Sequence, residues 1–189
     1  MFNFNKKENF ILHKKNAFSK EACVHVINYF EKRKDLHVDG TTYRGINYDK
    51  KKCTEIFLKS KDHTIFHDLL HKSLNDYIKI YPSVNMIDKF CLHTNHKIQK
   101  YNPGEGYFAE HCENNGGEET ILAWMIYLND VTDGGYTKFP NQNIKFQPRR
   151  GDLLMWPAYF THSHLGIVSK TQTKYIATGW YSLLHRLKE

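Results

Sequence analysis

The 189-residue chain has few cysteines and no long apolar run. Its four cysteines are Cys23, Cys53, Cys91 and Cys112. None of them forms a Cys-x-x-Cys pair, which excludes a zinc ribbon and a thioredoxin-type redox motif. Isolated thiols are typical of a reducing cytosol, so we expect a cytoplasmic protein. The chain contains no stretch of ~18 apolar residues and no signal-like apolar segment at its start, so we expect neither membrane insertion nor export.

Basic residues outnumber acidic ones by 27 to 20, which gives a formal net charge of +7. Such a charge suits an acidic partner, whether a protein, a nucleic acid or a small organic acid. The lysines occur singly or in short runs without forming a concentrated basic stripe, so a solvated surface is favoured over a nucleic-acid footprint. Hydrophobic and charged residues make up 40% and 25% of the chain, which predicts one globular domain over residues 1–189.

The first ninety residues have the periodicity of helices. Ser19 is placed to cap a helix whose apolar residues recur at helical spacing up to Phe30. A second such pattern begins at Asp62 and runs to Ile78, and Pro82 cannot continue it. We therefore predict a mainly helical support region over residues 1–90, packed on one face of a sheet.

From residue 91 onward the pattern changes to short strands separated by Gly, Pro, Asn and Asp. The predicted strands are Lys97–Tyr101, Thr120–Leu128, Ile144–Phe146, Leu153–Trp156 and Lys174–Tyr181. Many short strands with regular turns indicate an antiparallel sandwich or barrel, of which the jelly roll commonly holds a ligand. The fold class is thus α+β, with a β core over residues 91–184.

Histidine is abundant, with twelve residues, but spacing singles out only a few of them. His111 and Glu113 are two residues apart, so in an extended segment both side chains project to the same face. A His-x-Glu pair alone is weak evidence for a metal site. About fifty residues later, His162 and His164 offer a third ligand. Two histidines and one carboxylate leave coordination positions open, as non-haem iron oxygenases require.

Lys174 opens the apolar stretch that continues to Trp180. Because an unpaired ammonium is costly to bury, a lysine at the start of a buried strand requires an anionic partner. The sequence therefore predicts an anion near Lys174.

Residues 95–182 resemble the 2-oxoglutarate- and Fe(II)-dependent dioxygenases, in particular their prolyl 4-hydroxylase-like branch. The matching elements, in order, are Tyr101-x-x-Gly104-x-x-Tyr107, His111-x-Glu113, the strand 122–130, the segment 134–140, Gly151-Asp152, the distal histidine, Lys174 and Gly179-Trp180. The resemblance implies a double-stranded β-helix, or jelly roll, with the N-terminal helices packed on one sheet.

The resemblance also implies residue roles. His111, Glu113 and His164 would be the catalytic iron ligands, with Fe(II), 2-oxoglutarate and O2 as cofactor and co-substrates. Lys174 would hold the distal carboxylate of 2-oxoglutarate, with Tyr101 and Thr178 as hydroxyl partners.

The chain departs from the family pattern in two ways. The carboxylate is Glu where the family most often has Asp, which lengthens the side chain by one methylene. His162 competes with His164 as the distal ligand. We favour His164, which precedes Lys174 by ten residues as in the prolyl hydroxylase pattern, and expect His162 behind the ligands or on the substrate side.

The implied activity is hydroxylation of prolyl residues in a peptide or protein, with release of succinate and CO2. Two other readings stay open. One is an oxygenase of the same superfamily that acts on a free amino acid, a small metabolite or a nucleic acid, and the other is a non-catalytic module that binds a metal and an organic acid. Loop composition places the expected peptide-binding residues in Arg44–Lys52 and Asn114–Glu119.

Overall fold

The computed structural model describes residues 8–58, 64–114 and 119–184. Two α-helices lie in its N-terminal half, α1 (Lys20–Lys32) and α2 (Thr64–Ile80). The side chain of Ser19 caps α1, because its Oγ accepts a hydrogen bond from the backbone N–H of Ala22 at 3.1 Å. Both predicted helices are therefore confirmed, although Asp62, where the second was expected to begin, lies outside the described residues.

Short strands make up most of the remaining regular structure. They are β1 (Leu12–Lys14), β2 (Val38–Asp39), β3 (Thr41–Thr42), β4 (Gly45–Ile46), β5 (Lys51–Lys52), β6 (Thr54–Leu58), β7 (Phe90–Leu92), β8 (His96–Tyr101), β9 (Gly106–Tyr107), β10 (Thr120–Tyr127), β11 (Thr137–Phe139), β12 (Ile144–Phe146), β13 (Leu153–Pro157), β14 (Leu165–Gly166) and β15 (Lys174–Leu183). In the described part of the chain, 3-10 turns lie at Lys34–Leu36, Pro82–Met86 and Phe160–His162.

The strands form one large sheet, one small sheet and two strand pairs, β3-β4 and β5-β9. The large sheet has the order β1-β13-β10-β15-β8-β6-β2, and β7 also pairs with β15. The small sheet has the order β12-β11-β14. The rings of Phe139 on the small sheet and Trp156 on the large sheet meet edge to face, with centroids 5.5 Å apart. The two sheets therefore face each other across a shared core.

The alternation of side chains along β10 separates the two faces of the large sheet. Leu122, Trp124 and Ile126 pack in a cluster that includes Phe30 of α1 and Phe66 of α2. The intervening residues of β10 belong to a second cluster, which contains Phe139 of the small sheet. Helices thus cover one face of the large sheet, and its other face lines the space between the sheets.

The five strands predicted for the C-terminal half are confirmed, with ends that differ by one or two residues. The first ninety residues, however, contribute more than helical support. Six strands lie there among the described residues, and three of them, β1, β2 and β6, join the large sheet. Segments of two or three residues are too short to show alternation, so most of them leave no pattern from which a strand could be predicted. No helix among the described residues is long and apolar enough to span a bilayer.

Candidate active site

A cavity of about 490 Å³ opens on the face of the large sheet that looks toward the small sheet. This volume lies within the range of small-molecule sites, ~300–1,000 Å³. The lining contains both charged and apolar side chains, among them Lys51, Lys97, Tyr101, Tyr107, His111, Glu113, Met125, Trp156, His164, Lys174, Ile176, Thr178 and Trp180. The six residues favoured as iron or 2-oxoglutarate ligands all line this cavity: Tyr101, His111, Glu113, His164, Lys174 and Thr178.

Three of the predicted residues converge at one point of the wall. A donor atom from each of His111, Glu113 and His164 lies within 4.8 Å of the others. The Nε2 atoms of His164 and His111 lie 3.3 and 3.7 Å from Oε1 of Glu113. The backbone brings the two histidines together, because the N–H of each donates to the carbonyl of the other, at 3.0 and 2.8 Å.

Hydrogen bonds to backbone carbonyls set the orientation of both imidazole rings. Nδ1 of His111 lies 3.0 Å from the carbonyl oxygen of Ala109, and Nδ1 of His164 lies 3.1 Å from that of His162. Donation from Nδ1 leaves Nε2 of each ring as the unprotonated ligand atom. This carbonyl support is the usual outer shell of a metal-binding histidine.

The charge states of the cluster also suit a cation. Burial, followed by the neighbouring charge of His164, lowers the pKa of His111 to about 4. Burial alone would raise the pKa of Glu113, but its close contacts with His164 and His111 and the hydrogen bond from Trp180 lower it to about 2. At neutral pH the cluster therefore presents an ionised carboxylate and a neutral imidazole at His111.

Two aromatic side chains hold the ligand residues in place. The indole N–H of Trp180 donates to Oε2 of Glu113 at 2.8 Å, which leaves Oε1 toward the histidines. The ring of Tyr107 stacks on that of His111, with centroids 3.5 Å apart and planes inclined by 12°. Trp180 lies two residues beyond Thr178 on β15, so its place in the cavity confirms the expected alternation.

His162 does not join the cluster. Its Nε2 lies 2.9 Å from the carbonyl oxygen of Asn9, and its Nδ1 lies 2.9 Å from Oγ1 of Thr161. The residue ends a 3-10 turn, so the alternation that would place it on the same face as His164 does not apply. Its backbone carbonyl, rather than its ring, supports His164.

Lys174 lies away from the histidines and is only 6% exposed. Its Nζ donates to the carbonyl oxygen of Gly135 at 3.2 Å and lies 4.7 Å from the ring centroid of Tyr101. Among the described residues no carboxylate forms an ion pair with it. Burial lowers its pKa from 10.5 to about 8. A buried ammonium without a carboxylate partner fits the predicted anion site.

The two predicted hydroxyl partners line the cavity but have bonds of their own. The hydroxyl of Tyr101 donates to Oε1 of Gln99 at 2.9 Å, and its ring, not its hydroxyl, faces Lys174. The hydroxyl of Thr178 donates to the carbonyl oxygen of Trp124 at 2.8 Å. Their assignment as carboxylate ligands stays a prediction, and it requires these hydroxyl groups to change partner.

Sequence reasoning missed a buried ion-pair network in the same wall. Glu55 on β6 is fully buried, and its carboxylate contacts Lys51 and Lys97. The signal available was the alternation of Lys97, Gln99 and Tyr101 on β8, which places three polar side chains on one face. Glu55, more than forty residues earlier in the chain, gave no such signal.

The donor set fits Fe(II). Two imidazole nitrogens and one carboxylate form the facial triad typical of non-haem iron oxygenases, whereas structural zinc sites favour four protein ligands. Among the described residues the cluster offers only these three donors. The cavity also provides the cation that a dicarboxylate co-substrate needs at its far end.

Solved structures of prolyl hydroxylases share this fold. A viral collagen prolyl hydroxylase from Paramecium bursaria Chlorella virus-1, in complex with 2-oxoglutarate, superposes with a TM-score of 0.69 at 18% identity, over 93% of this chain and 97% of that chain. A prolyl hydroxylase from Trichoplax adhaerens, in complex with a peptide fragment of hypoxia inducible factor, gives a TM-score of 0.72 at 16% identity, over 96% and 88% of the two chains. These neighbours confirm the double-stranded β-helix.

Sequence similarity agrees with the fold. Prolyl 4-hydroxylase 5 of Arabidopsis thaliana is 29% identical over 128 residues, which are 66% of this chain and 43% of that protein. The chain spans about half the length of the curated relatives it matches. The model of the 2OG-Fe(II) oxygenase superfamily matches residues 96–182, the segment that holds both histidines, Glu113 and Lys174. Through this segment, the chain is similar to the 2OG-Fe(II) oxygenase superfamily.

Proposed function

We propose that this protein is a 2-oxoglutarate- and Fe(II)-dependent dioxygenase that hydroxylates prolyl residues of a peptide or protein. The observation that supports it most is the convergence of His111, Glu113 and His164 in one cavity with the buried cation of Lys174. The reaction consumes 2-oxoglutarate, O2 and a C–H bond, and it yields succinate, CO2 and the hydroxylated product.

The residues divide into a metal set and a co-substrate set. His111, Glu113 and His164 would hold Fe(II), and Lys174 would bind the distal carboxylate of 2-oxoglutarate. Iron with 2-oxoglutarate supplies the oxidative decarboxylation and the oxidising power for C–H hydroxylation. Because Lys174 acts as a point charge rather than a fork, the co-substrate requires a further donor, for which Tyr101 and Thr178 are the candidates.

The protein's own contribution is orientation and the exclusion of water. Trp180 fixes the rotamer of Glu113 by its hydrogen bond, and Tyr107 fixes the plane of the His111 ring by stacking. Apolar side chains of Met125, Trp156 and Ile176 complete the wall between the two sets. An apolar wall protects a reactive intermediate from side reactions with water.

Peptide access is proposed at the loops around the cavity. Of the predicted loop Arg44–Lys52, Lys51 lines the cavity, and the preceding residues Thr41, Thr42 and Tyr43 do so as well. Tyr43 is 64% exposed and offers an apolar ring at the rim. Of the predicted loop 114–119, residues 115–118 lie outside the described residues.

We also propose one domain and a cytoplasmic location. Strands β1, β2 and β6 join the same sheet as β8, β10, β13 and β15, which supports one folding unit rather than a separate helical region. All four cysteines are free thiols, which supports a reducing compartment.

The decisive experiment is turnover of the purified protein loaded anaerobically with Fe(II). On addition of O2, wild type converts 2-oxoglutarate to succinate slowly even without substrate. His111→Ala and His164→Ala lose both iron and succinate formation, because each removes one of three ligands. The matched control His162→Ala keeps most of its iron, since the His162 ring bonds to Asn9 and Thr161 instead.

Three outcomes would contradict the assignment. Iron and 2-oxoglutarate binding without succinate, whatever peptide is supplied, would indicate a binding module. If a free amino acid, a small metabolite or a nucleic acid were turned over and no peptide were, the dioxygenase assignment would stand and the prolyl peptide substrate would be wrong. If His162→Ala lost iron and His164→Ala kept it, the distal iron ligand would be His162 rather than His164.

A further inference from the structure

The cavity wall contains a buried carboxylate, and each of its two oxygens accepts more than one hydrogen bond. Glu55 is 0% exposed, and its Oε2 accepts hydrogen bonds from Lys51 and Gln99, both at 2.9 Å. Its Oε1 accepts two bonds from Thr41, through the backbone N–H at 3.2 Å and the hydroxyl at 3.0 Å. Lys97 reaches the same oxygen at 3.3 Å.

Two ammonium groups therefore share one carboxylate, and the network bears a surplus positive charge. Lys51 is well placed, because it also donates to the carbonyl oxygen of Thr41 at 3.0 Å. Lys97 has the longest bond to Glu55 and shares its oxygen with both donors of Thr41. The side chain of Lys97 is 13% exposed, against 2% for Lys51, so the surplus charge faces the cavity at Lys97.

Lys97 lies next to the proposed iron site. Its Nζ is 4.5 Å from the ring centroid of Phe57 and 5.7 Å from that of Trp180. The indole of Trp180 in turn donates to Glu113. One aromatic side chain thus separates the Lys97 ammonium from a proposed iron ligand.

An anion that binds at Lys97 would differ from the co-substrate that is proposed to bind at Lys174. On the paired strands β8 and β15, Lys97 is opposite Thr178, and Lys174 is opposite Tyr101. Four residues of strand separate these positions, or ~13 Å at the rise of a β-strand. A short dicarboxylate held at Lys174 and at the iron ligands does not extend to Lys97 as well.

We propose that Lys97, held in place by Glu55 and Lys51, binds an acidic side chain of the substrate next to the target proline. The proposal rests on the proposed function and narrows its substrate class to acidic peptides. An aspartate or glutamate neutralises the surplus charge of the network and completes the partners of an ammonium that burial destabilises. Lys97 is on this account a specificity-determining residue.

The test compares matched peptides that carry Glu or Gln immediately before or after a single proline. For wild type we expect kcat/KM to be about ten-fold higher for a Glu peptide than for its Gln counterpart at one of the two positions, the size of one charge-assisted hydrogen bond. Lys97→Gln brings this ratio to about one. Lys97→Glu reverses the preference in favour of a matched Lys peptide, through like-charge repulsion of the Glu peptide.

The matched control is Lys72→Gln on the exposed face of α2, which removes the same charge far from the cavity and keeps the wild-type ratio. Equal rates on Glu and Gln peptides in wild type, or an unchanged ratio in Lys97→Gln, would overturn the proposal. A purely structural role for Lys97 would lower the melting temperature and slow all peptides equally, without moving the ratio.

Calorimetric binding of the same peptides to the protein without iron separates this proposal from the proposed function. Tighter binding of the Glu peptide that is lost in Lys97→Gln supports the acidic subsite even where no peptide is hydroxylated, in which case the proposed function alone fails. Equal affinities, or no peptide binding, would overturn the subsite whatever the turnover assay gives.

Discussion

At the scale of single residues, the proposed site contains a carboxylate with several polar partners and an ammonium group with few. Glu113 is half-buried yet ionised, because its carboxylate lies against His111 and His164 and accepts a hydrogen bond from Trp180. Lys174 is more deeply buried and has only a backbone carbonyl and an aromatic ring as partners. The first arrangement suits a metal cation, and the second leaves an ammonium that an anion would stabilise.

The lowered pKa of Lys174 predicts a pH-dependent requirement for 2-oxoglutarate. Because burial brings this pKa to about 8, the lysine loses its proton above that pH in the protein without co-substrate. The co-substrate concentration at half-saturation should be constant below the pKa and rise about ten-fold per pH unit above it. Titration of succinate formation against 2-oxoglutarate across this range measures the effect.

Lys174→Arg is the matched control, because a guanidinium keeps its charge throughout this range. The variant changes the affinity at every pH, but its dependence on pH should vanish. A flat profile in wild type, or the same rise in both proteins, would show that the co-substrate carboxylate is bound elsewhere.

At the scale of elements, β15 positions most of the cavity. Lys174, Ile176, Thr178 and Trp180 alternate toward the cavity, while Ala177 and Tyr181 face the helices. Gly179 lies between them, against the side chains of Trp124 and His96 on the two neighbouring strands. A Cβ at this position would lie 2.7 Å from Trp124 and 2.9 Å from His96.

Gly179→Ala should therefore destabilise the fold. We expect a loss of about 1–3 kcal/mol in the free energy of unfolding, the usual cost of overpacking a core. Denaturant-induced unfolding measures it. Gly166→Ala serves as the control, because its added Cβ would have its nearest neighbour at an ordinary 3.5 Å, the backbone nitrogen of Tyr107. Equal losses in the two variants would refute the packing argument.

The elements also show what the sequence could and could not predict. Helical periodicity identified both helices, and short apolar runs between turn residues identified five strands of the C-terminal half, whereas the five-residue strand β6 was missed. The convergence of His111 and His164 was predictable in outline from the family spacing. The exclusion of His162 was not, because it depends on a 3-10 turn at Phe160–His162 that breaks the alternation.

Long-range pairing sets a second limit on prediction. Glu55 meets Lys97 and Gln99 only because β6 pairs with β8, with Glu55 opposite Gln99. Lys51 reaches the same carboxylate from β5, a strand of two residues that pairs with β9. None of these pairings leaves a local pattern in the sequence, so the network became visible only in the fold.

At the scale of the whole molecule, two sheets enclose a cavity and helices close the outer face of the larger sheet. Two of the proposed iron ligands, His111 and Glu113, precede β10, and the third, His164, follows β13. The cation proposed to bind 2-oxoglutarate, Lys174, is on β15. Two of the positive charges of the chain, those of Lys174 and Lys97, are each proposed to bind an anion in the cavity. On this account the cavity accepts two anions, the co-substrate at one end and an acidic substrate side chain at the other.

The most direct test of the account is the coupling of co-substrate turnover to peptide hydroxylation. The Fe(II)-loaded protein is supplied with 2-oxoglutarate, O2 and a proline-containing acidic peptide, and succinate and hydroxyproline are quantified together. We predict that the peptide accelerates succinate formation, that the additional succinate equals the hydroxyproline formed, and that both products disappear in His111→Ala. Succinate formation that no peptide accelerates, with no hydroxyproline in the product, would contradict the account.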